Sequence, residues 1–206
     1  GVAQNGPCQG STCLAVLGDI ALVLIPESSY HSDASELGQS RPEPTGLLLL
    51  DLRRALRAVV VAELGAAREK RETAALLLPV PIECTMEEAL RLTGRLPELE
   101  QLGFAIRVFG PHSFLVEGVP AAMKEMDVAK LIWAYVQDSS PDGVVQERHK
   151  KLASAYVGQQ IRHPIPLGTA SAILTRWELH GAPKVAPDGK SCVTYLTQQM
   201  VEGMLG

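Results

Sequence analysis

A carboxylate that could bind a metal ion or cap a helix stands where an apolar run gives way to a helical pattern. Asp51 follows the run 46–50 and precedes a periodic segment that begins at Leu52. A carboxylate at such a junction can cap the first backbone N–H groups of a helix, or it can bind a hard cation such as Mg²⁺. The side chains that could join it in a metal site are Glu63, Asp188 and Cys192.

Composition and charge exclude several classes of protein. The chain has 206 residues, 46% of them hydrophobic, and its apolar runs are far shorter than the roughly 20 residues of a membrane-spanning helix. Its formal net charge of -4 argues against broad binding of nucleic acid, so any DNA contact should be local or belong to another domain. The first residue is Gly and no secretion signal is visible, so we expect a fragment of a larger protein.

The cysteines show no pattern typical of a zinc site or a disulfide framework. Cys8, Cys13, Cys84 and Cys192 are widely spaced and form no C-x-x-C pair. We expect them to fill core or surface positions as small side chains, in a reducing, cytoplasmic setting.

The two ends of the chain predict a sheet and several helices. The runs 12–17 and 20–25 meet at Gly18-Asp19, a pair that tolerates the positive φ of a hairpin turn. The run 46–50 predicts a buried strand, and helical spacing continues from Leu52. The other predicted segments are a mobile loop over 26–45, helices over 144–160 and 169–180, and a last strand over 191–196.

The middle of the chain predicts a small unit of its own. An apolar strand covers 75–81, and the capping-box pattern at Thr85 and Glu88 should begin a helix that Pro97 kinks or splits and Gly103 ends. A hairpin over 104–116 and a helix over 121–137 follow. The side chains expected to form the core of this unit are Leu90, Leu96, Phe104, Ile106, Phe114, Val116 and Trp133. The element order predicts an α+β fold with an inserted subdomain.

The stretch from Gly103 to Pro120, GFAIRVFGPHSFLVEGVP, resembles the C-terminal domain of the DNA mismatch repair protein MutL. In that family a helix ending in Leu-Gly-Phe leads to a Phe-Gly turn, an alternating strand and a Val-Pro step. The resemblance extends from the first hairpin to the last strand. It implies a discontinuous dimerisation subdomain, residues 1–73 and 140–206, that holds an inserted external (regulatory) subdomain, residues 74–139.

The resemblance also assigns the positions of a nuclease motif, because many members of the family are metal-dependent nicking endonucleases. In D-Q-H-A-x-x-E only Asp51 remains, since Arg53 stands in place of the His and Arg57 in place of the Glu. A guanidinium offers no lone pair to a divalent metal. The other altered motif positions are Ser154, Ala186, Asp188 and Lys190. We therefore expect no catalytic residue, metal or cofactor in this domain, and Asp51 to be a helix cap.

A further family motif binds the sliding clamp through a Gln followed by aliphatic residues and a Pro. The matching segment keeps the aliphatic run and the Pro but begins with Ala, and its members are Ala74, Leu76, Leu77, Leu78 and Pro79. Clamp binding is therefore expected to be weakened or absent. The alternative is that the segment is only a buried strand of the external subdomain.

Three functions follow from these observations. The first is a homodimerisation module of a bacterial, cytoplasmic MutL that lacks its own endonuclease, tethers two N-terminal ATPase arms and, by the resemblance, works with MutS, a separate nicking endonuclease and a helicase. The second is a nicking endonuclease with a metal site rebuilt from the acidic residues and Cys192. The third is an unrelated α+β binding module. The candidate dimer interface comprises Leu47, Leu49, Ile173, Leu174 and Trp177.

Overall fold

The fold is α+β, as the element order predicts, with two antiparallel sheets. A computed structural model of the chain describes residues 10–26, 44–66, 72–137 and 145–205. The strands in these ranges are β1 (Thr12–Leu17), β2 (Ile20–Leu24), β3 (Pro44–Asp51), β4 (Thr73–Glu83), β5 (Ala105–Gly110), β6 (Ser113–Pro120) and β7 (Val193–Thr197). The α-helices are α1 (Leu52–Ala66), α2 (Met86–Gln101), α3 (Val128–Val136), α4 (Val145–Gln160), α5 (Leu167–Leu179) and α6 (Gln198–Leu205).

The chain divides into two compact units. The first unit contains both chain ends, Gly1–Val59 and Ile161–Gly206, and the second contains the middle, Val60–Gln160. The subdomain boundaries at 73/74 and 139/140 stay a prediction. Most of the predicted loop 26–45 lies outside the described residues.

The first sheet has the strand order β1-β2-β3-β7 and belongs to the first unit. The predicted hairpin is confirmed, since β1 and β2 pair across a turn in which Gly18 has φ of 60°. Residues opposite each other in the register share a face, so Ala21 and Leu50 point to one side of the sheet while Leu22 and Leu49 point to the other.

One face of the first sheet forms the core of the first unit. Val23 and Leu48 are fully buried on this face, and α5 packs against β1. Leu52 and Ala55 of α1 are also fully buried, because helical spacing puts them on one side of the helix. Three of the residues predicted for the dimer interface lie in the interior of the chain itself, namely Ile173, Leu174 and Trp177.

The second sheet has the order β4-β6-β5 and belongs to the second unit. α2 begins at Met86 behind a capping box, in which Thr85 Oγ1 accepts from Glu88 N and Glu88 returns the bond to Thr85 N. It ends at Gln101, and Gly103 lies just beyond the C-cap Leu102, where its φ of 86° lets Phe104 N donate to Leu99 O. Both predicted helix limits are confirmed.

Three local predictions are wrong in whole or in part, and one helix was not predicted. Of the two effects predicted for Pro97, a kink or a split, the split is wrong, because Leu92 and Leu99 on either side of it are fully buried and hold the segment helical. The predicted helix 121–137 is a short 3-10 turn followed by α3, since Asp127 caps a new start through Lys130 N. Leu90 is exposed rather than part of the core. The last strand leads into α6, which the sequence pattern did not predict.

None of the helices in the described ranges is long and apolar enough to cross a membrane.

Candidate functional site

Asp51 caps α1, as expected. Its Oδ1 accepts a hydrogen bond of 2.9 Å from Arg54 N, and its Oδ2 lies 3.3 Å from Arg54 Nε. The backbone of Asp51 is fixed by a 2.8 Å bond from its N–H to Cys192 O on the neighbouring strand segment. The carboxylate is therefore occupied on both oxygens by groups of the helix that it begins.

Arg53 ties the start of α1 to the first hairpin. Its Nε donates to Asp19 Oδ1 at 2.8 Å, and its Nη2 donates to Ile161 O at 3.2 Å. His163 joins the group, with Nε2 at 3.2 Å from Arg53 Nη2 and 3.1 Å from Asp19 Oδ1. Arg53, a cation with these partners, therefore occupies the position at which the family motif has a metal-binding His.

Arg57 faces the turn that carries Asp188. The nearest approach is 4.0 Å, from Nη2 to Asp188 Oδ2, so the pair is an ion pair without a hydrogen bond. Asp188 Oδ1 accepts from Lys190 N at 3.2 Å. This backbone bond, followed by the charges of Arg57, Lys190 and Arg54, holds the pKa of Asp188 below its ordinary value despite some desolvation.

The remaining motif positions lie in two places. Ala186 is buried beside this turn, where its N–H donates to Lys190 O at 2.8 Å. Ser154 lies in the second unit, and its hydroxyl donates to Lys150 O within α4 at 2.8 Å. The structure thus brings Asp51, Arg57 and Asp188 together in the first unit.

Cys192 is buried close to this group of charges. Burial, followed by the negative charges of Asp51 and Asp188, raises the pKa of its thiol to about 11. Glu63 lies further along α1, in the second unit. Among the described residues no group of three or more His, Cys, Asp or Glu side chains could hold a metal ion.

The outward face of the first sheet is mostly aliphatic, and its polar members are Thr12, Asp51 and Thr194. Leu22 pairs with Leu49 and Leu24 with Leu47, all four on the face opposite the core. We call this surface the aliphatic face, and its members are Leu17, Ile20, Leu22, Leu24, Leu47, Leu49 and Leu196. Each of these side chains is half-buried or exposed in the single chain. The sequence named Leu47, Leu49 and the first hairpin as candidates for the interface, and the strand register identifies Leu22 and Leu24 as the residues of that hairpin opposite the two leucines.

The predicted clamp segment bulges out of the second sheet. β4 pairs with β6 through Ala75 and again from Val80, which leaves residues 76–79 out of register. Leu77 is 97% exposed and Leu78 is 80% exposed. The interpretation of this run as a buried strand is therefore wrong, because the bulge turns two leucines into solvent.

The second unit contains a largely buried polar network that the sequence did not predict. Glu98 Oε2 accepts from Tyr135 Oη at 2.8 Å and from Arg148 Nε at 2.9 Å, so one carboxylate oxygen joins α2, α3 and α4. Arg148 is only 2% exposed. Burial, followed by the bond to Glu98, raises the pKa of Tyr135 to about 12. Desolvation acts to raise the pKa of Glu98, but the bonds from Tyr135 and Arg148 outweigh it and lower that pKa.

Comparison with known proteins identifies the family. Residues 42–163 match the family described as MutL C terminal dimerisation domain. The chain is 31% identical over 157 residues to the DNA mismatch repair protein MutL of Opitutus terrae, covering 70% of this chain and 24% of that protein. It is 25% identical over 214 residues to MutL of Geotalea uraniireducens, covering 95% of this chain and 35% of that protein.

A shorter match has higher identity. The chain is 41% identical over 83 residues to MutL of Phenylobacterium zucineum, covering 40% of this chain and 12% of that protein. The chain thus spans about a third or less of the length of these relatives. The family match covers more than half of the chain, from within the first unit through the second, and the chain therefore belongs to the MutL C-terminal dimerisation domain family.

Proposed function

We propose that the chain is the homodimerisation module of a bacterial, cytoplasmic MutL-type DNA mismatch repair protein, and that two copies associate through the aliphatic face. The observation that carries this proposal is the continuous set of outward leucines on β2 and β3. A monomer rarely exposes a contiguous apolar patch of this kind, and obligate dimers cover such patches. The family match supports dimerisation as the role of the domain.

Symmetry explains how one face can serve both copies. A twofold axis lying in the interface, against the aliphatic face, would bring the Leu22–Leu49 pair of one chain near the same pair of the other. The contact needs no charged partner, since cross-strand leucines fill it. Ile173, Leu174 and Trp177 would then support the interface from inside, as the buried layer behind the sheet.

The double variant Leu22→Asp/Leu49→Asp tests this proposal. Two carboxylates in the centre of an apolar interface should weaken association by about 1000-fold or more, measured by sedimentation equilibrium. The matched control is Leu115→Asp, on the open face of the second sheet, which should leave the association constant unchanged. Unchanged association of the double variant, with circular dichroism showing a folded chain, would contradict this choice of interface.

Dimerisation would act by tethering. By the family resemblance, each copy carries an N-terminal ATPase arm, and a permanent C-terminal dimer makes the meeting of two arms intramolecular. Coordination of MutS, a separate nicking endonuclease and a helicase is part of the same proposal and rests on the resemblance alone.

We further propose that this domain is not a nuclease. Arg53 and Arg57 stand where the motif needs lone-pair donors, and each faces a carboxylate instead. The nicking-endonuclease alternative predicts metal-stimulated nicking of supercoiled DNA by the protein and uptake of metal by this domain. We expect neither with Mg²⁺ or Mn²⁺, and nicking that disappears on chelation would contradict the proposal.

Clamp binding is proposed to be weak. The bulge presents Leu77 and Leu78 to solvent, which supplies the aliphatic half of the motif, while Ala74 lacks the amide of the motif's Gln. Titration with the sliding clamp should show stronger binding by Ala74→Gln than by the wild type. Tight wild-type binding that Ala74→Gln does not improve would contradict this view.

A further inference from the structure

A cavity between α2 and α3 lies in the second unit, apart from the residues that carry the dimerisation proposal. Its volume is about 300 Å³, and its lining residues are Glu88, Arg91, Trp133, Val136 and Gln137. The first two belong to α2, and the others to α3 and the residue that follows it. Ligand pockets usually measure about 300 to 1,000 Å³, so this cavity suits a single side chain rather than a nucleotide or a flavin.

Hydrogen bonds within the chain hold two walls of the cavity in place. Glu88 Oε2 accepts from Thr85 N at 2.9 Å and from Thr85 Oγ1 at 3.0 Å, so the capping box fixes this carboxylate. Trp133 is half-buried, and its carbonyl oxygen accepts from Gln137 N at 2.9 Å. Because these side chains are already ordered, a ligand loses less free energy to ordering them.

The charged residues at the cavity sum to a negative charge. Arg91 Nη2 donates to Glu87 Oε1 at 3.1 Å, so these two charges offset each other. The Glu88 carboxylate remains, and its Oε1 has no hydrogen-bond partner within the described ranges. The bond from Thr85 N, followed by that from Thr85 Oγ1, lowers the pKa of Glu88 despite some desolvation. The carboxylate is therefore ionised at neutral pH.

An indole and an ionised carboxylate in one cavity suit a guanidinium group. A guanidinium is planar and weakly hydrated, so it stacks well on aromatic rings. Its N–H groups form strong hydrogen bonds with a carboxylate oxygen. Val136 supplies apolar surface for the methylene groups of an arginine side chain, and the Gln137 amide oxygen can accept a further N–H. An anion suits the cavity less well, because Glu88 repels it and Arg91 already binds Glu87.

We propose that this cavity binds an arginine side chain of a partner protein, with Glu88 as the acceptor and Trp133 as the stacking surface. Charge complementarity favours this occupant, since the ion pair of Arg91 with Glu87 leaves one negative charge to be matched. The Arg91 side chain is 43% exposed, so the cavity opens to solvent on that side and the backbone of the partner can remain outside.

The indole N–H signals of the chain's two tryptophans, followed by NMR, test this proposal. Trp177 is the internal control, because it is 1% exposed and its Nε1 donates to Pro183 O at 3.0 Å. N-acetyl-arginine amide should shift the Trp133 signal alone, with a dissociation constant of about 1 to 10 mM for a single side chain. N-acetyl-citrulline amide has nearly the same shape without the charge, and should bind at least about fivefold more weakly.

Three variants separate the cavity from general electrostatics. Glu88→Gln should weaken binding of the arginine amide about fivefold, while glutamine can still return the capping bond to Thr85. Arg91→Gln should strengthen binding about twofold, because it removes the positive charge nearest to the ligand. The matched control is Glu100→Gln, an exposed carboxylate near the end of α2, which should change affinity by less than about 1.5-fold.

Several outcomes would overturn the proposal. Equal binding of the arginine and citrulline amides, or equal losses in Glu88→Gln and Glu100→Gln, would show that the Glu88 charge selects no ligand. Loss of binding in Arg91→Gln, or tighter binding of N-acetyl-glutamate amide, would show a site for anions. Free arginine that binds more tightly than its amide would show a site for a small molecule instead of a partner's side chain. A Trp133 signal that does not move up to about 50 mM arginine amide would show no site.

Discussion

The outward faces of the two sheets are built from different residues, although both sheets are antiparallel and covered on the other side. On the first sheet the outward positions on β2 and β3 carry Leu22, Leu24, Leu47 and Leu49. On the second sheet the outward positions of β5 and β6 hold Leu115 together with an ion pair of 2.7 Å between Arg107 and Glu117. The second face thus offers an exposed ion pair to water, whereas these four positions on the first face offer no polar side chain.

The two units therefore differ in what completes their hydrophobic cores. The second unit is completed by its own helices and by the Glu98 network that joins them. The first unit leaves an aliphatic face that only another apolar surface can cover. A second copy of the same chain is the partner that symmetry and the family match favour.

The largest expected effect in the second unit comes from Arg148→Met. Removing the guanidinium leaves Glu98 and Tyr135 without their central partner in a largely buried position, at a cost of about 3 kcal/mol. Urea denaturation should show this loss while the mass in solution stays that of the wild type. Arg107→Met is the matched control on the open face and should cost less than about 0.5 kcal/mol. Equal losses of unfolding free energy in the two variants would contradict the claim that the buried Arg148 stabilises the fold more than the exposed Arg107 does.

A smaller effect is expected from Gly118→Ala on β6. The added Cβ would lie 2.6 Å from Thr73 Cγ2 and 3.3 Å from Ala74 O, so the Thr73 side chain or the backbone of β4 must shift. We expect a loss of about 2 kcal/mol in the free energy of unfolding, measured by urea denaturation. Gly94→Ala on α2 meets nothing within 4 Å and should instead stabilise the chain slightly. A neutral Gly118→Ala would show that the sheet is less tightly packed than described.

Loss of the capping box should cost less again. Thr85→Ala removes the oxygen that accepts from Glu88 N, and we expect about 1 kcal/mol of destabilisation. Thr93→Ala, an exposed position inside the same helix, should leave stability unchanged or slightly higher. Equal effects at the two positions would mean that α2 does not depend on its cap.

The smallest expected effect is on the stability of the fold at acidic pH. The pKa of Glu98 is lowered in the folded chain, so its ion pair stabilises the fold above the ordinary glutamate pKa of about 4.3 and is lost as pH falls through the lowered value. Urea denaturation from pH 6 downward should therefore show a decline that is shallower in Arg148→Met. Parallel declines in both proteins would indicate that other carboxylates dominate.

The sequence predicted local features well where one residue type had one physical role. Thr85 with Glu88, Gly103 and Gly18-Asp19 each fixed an end or a turn, and Asp51 capped the helix that it precedes. These signals depend only on neighbouring residues, so no tertiary information was needed.

Features that depend on strand register or on contacts between distant segments could not be predicted from the sequence. Leu22 and Leu24 become part of one face only once β2 is paired with β3. Asp19 and His163 meet Arg53 from segments far apart in the chain. The bulge at Leu77 likewise depends on how β6 pairs with β4, which no local pattern in β4 specifies.

The mass of the wild-type chain in solution tests the central claim most directly. Light scattering over a dilution series should give about 44 kDa, twice the 22.1 kDa of one chain, down to micromolar concentration. A mass near 22.1 kDa at micromolar concentration would contradict the account, because the aliphatic face would then be exposed to water in the native state.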